Sequence, residues 1–196
     1  MSSITVMMQT TLDNRIARSF GVFWEPFAYG DAEQEYMNHW WAMNDTWIMG
    51  RGLFDAVSPW WETVAKGALP DDLPEMTDAT REFGRIFAGL EKIVVSDTLE
   101  STTERTVISG DIAARLNEIK AGPDKRMVLS CGPALFGHLI KVTGLIDELL
   151  LVVHPAVITS GPRLFEDLET DLELELIEAK TFDAGSILLR HRVLSA

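Results

Sequence analysis

Residues 125–143 read K-R-M-V-L-S-C-G-P-A-L-F-G-H-L-I-K-V-T, and they predict a strand, a tight turn and a helix in succession. A short apolar run, Met127 to Leu129, precedes the turn, and apolar residues at helical spacing follow it. Pro133 suits the first helical turn because its missing N–H would have no partner there. Such a corner directs unpaired N–H groups at one point, which favours a phosphate. The alternative is a strand-to-helix corner that binds nothing.

Strand and helix patterns alternate around this corner until about residue 145, and only strand patterns follow. The earlier strands are predicted at residues 4–8, 47–49, 93–96 and 106–108, and the helices at 31–44, 76–88 and 111–120, with a short helix or turn at 53–61. The later strands are predicted at residues 148–154, 172–179 and 186–193, the last two forming a hairpin. This order predicts an α/β fold with three layers, αβα. Its sheet is mixed but mostly parallel, with an antiparallel C-terminal hairpin.

Composition limits the classes of function. A length of 196 residues with 46% hydrophobic residues predicts one well-buried domain over residues 1–196. A formal net charge of −13 argues against binding nucleic acid, because no basic stripe is available to displace phosphate counterions. The first residues lack the basic and apolar regions of a signal peptide, and no apolar run approaches the length of a membrane helix. A single cysteine agrees with a reducing compartment, so we expect a cytoplasmic protein without membrane contacts.

Three predicted strands end in polar or glycine residues. In an open α/β sheet, ligands gather beyond the carboxyl ends of the strands, so these segments are expected to meet. An arginine there can grip a phosphate bidentately, and a serine adds a hydroxyl donor. The alternative is that turns of this kind are polar in most proteins. The segments are Gly50-Arg51-Gly52, Ser96-Asp97-Thr98 and Ser130-Cys131-Gly132.

Six segments, in order and in register, resemble known reductases. Residues 11–17, T-L-D-N-R-I-A, resemble the S-L-D-G-R-I-A segment in the reductase domain of riboflavin-biosynthesis deaminase-reductases. Residues 144–149 resemble their G-L-V-D-E-L run, and His154-Pro155 with residues 161–165 resembles their H-P and G-x-R-L-F. Residues 48–51 resemble the M-G-R turn of dihydrofolate reductases, and residues 93–96 resemble the strand and serine that follow. Residues 127–135 resemble the strand, glycine pair and helix start of both families.

The resemblance implies a dihydrofolate reductase-like fold and NADPH as the hydride donor. It places Ala17 on the nicotinamide side, Gly50 and Arg51 at the adenosine phosphates, and Ser96 near the ribose phosphate. Residues 132–136 would hold the pyrophosphate. The residues expected to bind the cofactor are therefore Ala17, Gly50, Arg51, Gly52, Leu53, Ser96, Asp97, Cys131, Gly132, Ala134, Leu135 and Phe136.

The chain also departs from these families. Gly52 and Leu53 stand where dihydrofolate reductases have a residue and then a threonine, which leaves the choice between NADPH and NADH open. Cys131 replaces the first glycine of the usual pair, and as a thiol near a helix N-terminus it is either reactive or buried and inert. Ser130 stands where riboflavin reductases carry a glutamate that holds the ribityl substrate, which argues against that substrate.

Hydride transfer needs a proton source and a pocket that excludes water. Asp31, at the start of the first predicted helix, is one candidate acid, and the alternative is that it only caps the helix. Asp13 is the other candidate. Trp24 and Tyr29 are expected to contact the substrate, whereas the other tryptophans are expected to be structural. The histidines show no metal-ligand spacing with each other or with Cys131, so we expect no metal site.

Two hypotheses of different class follow. The first is an NADPH-dependent reductase of a pterin- or pyrimidine-like heterocycle, of the riboflavin-biosynthesis type, or of a carbonyl substrate. The second is a non-catalytic ligand-binding protein that keeps the fold, which Leu53 and Cys131 motivate. The family and the apolar C-terminal strands predict a homodimer.

Overall fold

A single sheet organises the chain, and its central strands are parallel. The computed structural model describes residues 1–19, 26–27, 29–71 and 75–195. Within these residues eight strands pair in the order β4-β3-β2-β5-β1-β6-β8-β7. The strands are β1 (Ser3–Thr11), β2 (Thr46–Gly50), β3 (Glu91–Val95), β4 (Thr106–Ile108), β5 (Arg126–Ser130), β6 (Glu148–His154), β7 (Glu173–Thr181) and β8 (Ile187–Ser195).

The six strands from β4 to β6 pair in parallel, whereas β8 runs antiparallel to β6 and β7 antiparallel to β8. The predicted mixed sheet with a C-terminal antiparallel hairpin is therefore confirmed. Parallel strands are covered on both faces, which explains why β2 and β5 are short apolar runs without alternation.

Helices cover both faces, as predicted. Within the described residues they are α1 (Asp31–Trp41), α2 (Arg51–Ala65), α3 (Asp78–Gly89), α4 (Ile112–Lys120) and α5 (Pro133–Ile140). The first three pack their apolar side chains into one buried cluster with the sheet, and α4 and α5 pack into a second cluster on the other face. Thr77 and Asp111 cap α3 and α4, because each side chain accepts the backbone N–H three residues on.

Helix α2 differs most from the sequence-based prediction. A short helix or turn was expected over residues 53–61, but the helix begins at Arg51 and runs for 15 residues. Gly52 and Pro59 both disfavour a helix interior, and the prediction followed that local preference. Burial of Phe54 and Val57 in the cluster shared with the sheet, and of Val64 next to Gly84 of α3, outweighs it. As a result, Arg51 is the first helical residue rather than part of a glycine turn.

Helix α1 also begins differently. Gly30 has extended dihedrals and precedes the helix, and its conformation leaves Asp31 as the first helical residue rather than the cap. The helix ends at Trp41, three residues earlier than expected. Asp31 and Glu33 both lie in the first turn of this helix, where Asp31 is exposed and Glu33 is buried.

Candidate active site

The three polar strand ends converge at one edge of the sheet. Strands β3, β2 and β5 are neighbours, with Val95 opposite Gly50 and Ser130 opposite Met49. A Cβ atom built on Gly50 would lie 4.0 Å from the Cα of Cys131. The segments that the sequence singled out therefore meet at the carboxyl ends of adjacent parallel strands, where ligands of open α/β sheets gather.

Arg51 lies at the centre of this edge. Its Nε is 3.0 Å from a carboxylate oxygen of Asp55, one turn along α2, and its Nη1 donates to the hydroxyl of Thr98. Thr98 Oγ1 lies 3.5 Å from the hydroxyl of Ser96, which also accepts the backbone N–H groups of Thr98 and Leu99. Arg51, Thr98 and Ser96 thus belong to one polar network. We call this network, together with Gly50 and Gly132, the cradle.

Two helix N-termini open onto the cradle. Helices α2 and α5 follow Gly50 and Gly132, and neither has a side-chain hydrogen bond at its cap. A Cβ atom built on Gly132 meets nothing within 4 Å, so there is open space in front of the α5 N-terminus. Free N–H groups, a guanidinium and open space suit a phosphate group. These residues therefore fit the pyrophosphate of a dinucleotide.

Other predicted cofactor residues have different surroundings. Cys131, Phe136 and Ala17 are buried, and none of them is among the described residues that line the cavity. Gly52, Asp97 and Ala134 are exposed, and Leu135 is half-buried at the start of α5. Burial raises the pKa of the Cys131 thiol to about 12. Cys131 was expected to be either reactive or inert, and its buried environment supports the inert thiol.

A cavity of about 370 Å³ lies beside the cradle. Leu53 and Ser130 line it, and each is within two residues of a cradle residue in the sequence. Most of its wall is aromatic or contains sulfur, and such largely apolar pockets are typical of small-molecule sites. The described lining residues are Met7, Met8, Gln9, Ile16, Phe27, Tyr29, Gln34, Met37, Trp41, Trp47, Leu53, Val57, Trp60, Trp61, Phe83 and Ser130.

The aromatic side chains are distributed differently from the expectation. Tyr29 lines the cavity, while Trp24 lies outside the described residues. The other tryptophans were expected to be structural, and Trp40, Trp41 and Trp47 do belong to the buried core cluster, although four tryptophans also line the cavity. Helical spacing alone does not distinguish a core tryptophan from one at a cavity wall. The four are Trp41, Trp47, Trp60 and Trp61.

Asp13 forms part of a network that joins two loops. Its carboxylate accepts the hydroxyl of Thr11 at 2.7 Å and the Nε of Arg15 at 3.1 Å, and the same Nε donates to the carbonyl of Ile158 at 2.9 Å. The hydrogen bond from Thr11, followed by those from Ile158 and Arg15, lowers the pKa of Asp13. An ionised carboxylate that accepts these bonds holds the loops together, and it is poorly suited to donating a proton at neutral pH.

The same junction requires a glycine at position 161. Gly161 has a φ of 106°, and a Cβ atom there would lie 1.8 Å from the carbonyl oxygen of Ala17. The two backbones pass too close for any side chain, and the conformation itself favours glycine. The G-x-R-L-F segment that resembles the reductase family thus closes the loop that follows β1.

Asp31 is exposed at the first position of α1 and is not among the described residues that line the cavity. Glu33, two residues later, is fully buried. The hydroxyl of Ser186 donates to its Oε2, whereas its Oε1 has no hydrogen-bond partner among the described residues. The sequence does not single out Glu33. No local signal identifies it, because its burial depends on Ser186 and His154, which lie far along the chain.

Glu33 and His154 are buried close to each other. Glu33 Oε1 lies 4.0 Å from His154 Nε2, and that nitrogen is 2.9 Å from the side-chain oxygen of Gln9, a cavity residue. Burial raises the pKa of Glu33, although the hydrogen bond from Ser186 opposes the shift, and burial lowers the pKa of His154 to about 4. Desolvation thus favours the neutral form of both groups.

The part of the chain that the structure describes contains neither a metal-binding group nor a membrane-spanning helix. No group of three or more histidine, cysteine or acidic side chains is arranged to hold a metal ion there. None of its helices is both long enough and apolar enough to cross a membrane.

Comparisons with known proteins identify the family and the fold. The family model described as the RibD C-terminal domain matches residues 2–188. The Bacillus subtilis protein YyaP, described as uncharacterized, is 28% identical over 144 residues, which cover 73% of this chain and 71% of YyaP.

Two solved structures share the fold at low sequence identity. The first is a Thermotoga maritima diaminohydroxyphosphoribosylaminopyrimidine deaminase/5-amino-6-(5-phosphoribosylamino)uracil reductase, 14% identical with a TM-score of 0.64; the match covers 98% of this chain and 56% of that one. The second is the Enterococcus faecalis dihydrofolate reductase complexed with NADP(H) and RAB-propyl, 12% identical with a TM-score of 0.63. That match covers 98% of this chain and 97% of that one.

Proposed function

Because this chain belongs to the RibD C-terminal domain family, we propose that it is an NADPH-dependent reductase. Its acceptor in this proposal is a small heterocycle, pterin- or pyrimidine-like, or a carbonyl compound. The observation that carries the proposal is the convergence of Arg51, Ser96 and the α5 N-terminus beside an apolar cavity. A dinucleotide needs both an anion site and a dry pocket for its reactive ring.

In this proposal each part of the site has one task. The cradle binds the cofactor phosphates through Arg51 and through the N–H groups at the start of α2 and α5. When bound, NADPH supplies a hydride. The wall of the cavity excludes water from the reacting atoms, which prevents competing reactions. Ile16 and Ser130 line the part of the cavity that adjoins the strand ends.

We propose Glu33, rather than Asp13 or Asp31, as the source of the proton that accompanies hydride transfer. Burial raises the pKa of Glu33, and a raised pKa lets a carboxyl group keep a proton nearer to neutral pH. Its neighbour His154 contacts Gln9 and packs against the ring of Phe27, and both of those residues line the cavity. Glu33 does not itself line the cavity, but it is buried next to His154, which contacts two residues that do. Asp13 has a lowered pKa and Asp31 is exposed, so neither combines a retained proton with such a buried contact.

A non-catalytic ligand-binding protein is the second candidate. The observation that favours it is that key polar groups are already occupied within the chain. Arg51 pairs with Asp55, and the hydroxyl of Ser130 donates to the carbonyl of Met7 and accepts from the indole N–H of Trp47. A reductase site with fewer free polar groups would bind ligands but turn them over poorly.

Titration with NADPH separates the two candidates. Tryptophan quenching and cofactor fluorescence report binding, because four tryptophans line the cavity. Consumption of NADPH at 340 nm with a panel of pterins, pyrimidines and quinones reports turnover. The reductase proposal expects binding at sub-millimolar cofactor together with oxidation by at least one acceptor. Absence of binding contradicts it, and binding without oxidation by any acceptor supports the ligand-binding candidate.

We also propose that the protein is a cytoplasmic homodimer. Strand β7 lies at the edge of the sheet, and Leu174, Leu176 and Ile177 are among the exposed apolar residues on it. An exposed edge strand with apolar side chains is a surface on which a second copy can pair. The single cysteine supports a reducing compartment.

A further inference from the structure

We infer that the acceptor taken by this cavity is an uncharged, flat aromatic lactam, without a phosphate or a carboxylate. This inference rests on the proposed reductase function and names the substrate class of the same site. It separates this chain from the Thermotoga maritima enzyme, whose name specifies a phosphoribosyl compound. Three features of the cavity support it: the charge of its lining, its hydrogen-bonding groups and the shape of its wall.

The lining of the cavity limits the charge of the acceptor. None of the described residues that line the cavity is acidic or basic. A phosphate or carboxylate moved from water into such a site would lose its hydration without gaining a cation or a helix N-terminus. The chain as a whole carries a formal charge of −13, so its long-range field repels anions as well. We therefore expect the part of an acceptor that contacts these described residues to be neutral.

The hydrogen-bonding groups on the cavity wall limit the polar edge of the acceptor. The hydroxyl of Ser130 donates to the carbonyl of Met7 and accepts from the indole N–H of Trp47, so it has no proton left to donate to a ligand. The side-chain oxygen of Gln9 is engaged by His154, and its amide N–H groups have no partner among the described residues. The side-chain nitrogen of Gln34 donates to Asn38 at 2.9 Å, and its carbonyl oxygen has no partner in the same part of the chain. Gln9 thus offers N–H donors and Gln34 offers an acceptor oxygen, and Tyr29, which carries a hydroxyl group, lines the cavity as well. These groups suit a ligand edge that carries a C=O and an N–H, as a lactam does.

The shape of the cavity wall favours a planar acceptor. Trp41 and Trp47 pack with ring centroids 4.7 Å apart, and Trp61 packs against Phe83 at 4.4 Å, in tilted and edge-on arrangements. Such packing holds the rings rigidly and presents broad apolar surfaces. Methionine side chains complete the lining and adapt to irregular outlines. A planar aromatic ligand makes the largest contact with such a wall.

Anionic groups and neutral groups would thus bind in two adjoining regions, the cradle and the cavity. Arg51, Thr98 and the α5 N-terminus make the cradle suited to phosphates, and the cavity beside it is suited to an uncharged ring. Only the cofactor would bring negative charge to the site. This division gives the inference a test that does not depend on turnover.

The test compares two probes that differ by one charge: quinoxalin-2(1H)-one and its 6-carboxylate. Calorimetry measures their dissociation constants in the presence and absence of saturating NADPH, while NADPH binding is measured separately. We expect the neutral probe to bind at least tenfold more tightly than the carboxylate. Equal or tighter binding of the carboxylate, or no binding of either probe at millimolar concentration, overturns the inference.

A charge placed in the cavity should reverse this preference. Gln34→Lys adds one cation to the lining, and we expect it to strengthen binding of the carboxylate probe at least fivefold relative to the neutral one. His39→Lys adds a charge to the exposed side of the same helix and is the matched control. An unchanged probe ratio in folded Gln34→Lys overturns the assignment of this cavity. Failure of NADPH to bind, with the probe preference intact, rejects the reductase proposal alone.

Discussion

His154 is buried in its neutral form, and this has a consequence for stability. Its pKa falls from an ordinary value of 6.5 to about 4 because burial disfavours the charged ring. Below pH 6.5 the unfolded chain binds a proton at this histidine that the folded chain does not bind. The free energy of unfolding therefore falls as the pH drops from about 6.5 towards 4, in total by about 3 kcal/mol. Glu33 contributes with the opposite sign, because its raised pKa adds stability at low pH that is lost as the pH rises.

We expect His154→Gln to remove this pH dependence. Between pH 7 and pH 5 the wild type should lose about 2 kcal/mol more stability than the variant, measured by urea unfolding at both pH values. His39→Gln changes an exposed histidine on α1 and should follow the wild type. Parallel curves for wild type and His154→Gln would show that His154 titrates normally in the folded protein.

Arg51 is the residue whose charge the cradle depends on most. If it clamps a cofactor phosphate, Arg51→Ala should weaken NADPH binding by about 1.5 kcal/mol, which is roughly tenfold. The estimate is low for a charged contact because the guanidinium is nearly half exposed and already shared with Asp55. Arg115→Ala removes the same charge from α4 on the opposite face and is the control. An unchanged dissociation constant would remove Arg51 from the site.

At the scale of elements, the decisive feature is the strand-to-helix corner between β5 and α5. The sequence predicted this corner from an apolar run, a turn and Pro133, and the structure has Pro133 at the first position of α5. Local chemistry sufficed there because each residue favours the same conformation. It did not suffice for α2, where Gly52 and Pro59 oppose the helix and burial against the sheet decides.

Gly132→Ala tests whether the corner holds the pyrophosphate. Gly132 has a φ of −74°, and an added methyl group meets nothing within 4 Å, so we expect stability to change by less than about 0.5 kcal/mol. The methyl group would instead project into the open space in front of α5 and weaken NADPH binding roughly tenfold. Gly89→Ala, which also has open space, should leave binding unchanged. Equal affinity for wild type and Gly132→Ala would mean that the cofactor does not pass this corner.

At the scale of the whole molecule, the net charge of −13 acts against any anionic ligand. Such long-range repulsion is screened by salt, whereas a short-range contact with Arg51 is screened much less. We expect the association rate of NADPH to rise several-fold between about 10 mM and 150 mM salt. A neutral probe such as quinoxalin-2(1H)-one should show no such rise. A stopped-flow rate for NADPH that falls with salt would mean that local positive charge dominates the approach.

The edge strand β7 provides a second test at this scale. We expect the protein to run as a dimer in light scattering, and Leu176→Lys, at an exposed position on β7, to shift it towards the monomer. Leu12→Lys changes an exposed leucine in the loop after β1 and should leave the dimer intact. A monomeric wild type would reject the proposed assembly.

The sequence by itself determined the order of strands and helices, the parallel sheet with its antiparallel hairpin, and the polar segments at three strand ends. It could do so because apolar periodicity, glycine and proline act over a few residues, and because parallel strands end at the same edge. Arg51 and Ser96 were identified in this way, and the structure brings them into one network.

Only the tertiary structure decided which acidic side chain is buried and which tryptophans line a cavity. Asp31 and Glu33 stand two residues apart in one helix, but only Glu33 lies where it meets Ser186, the residue that precedes β8. The wall of the cavity comes from segments far apart in the chain, from Met7 to Ser130. Burial and pKa depend on these distant neighbours, and local sequence does not contain them.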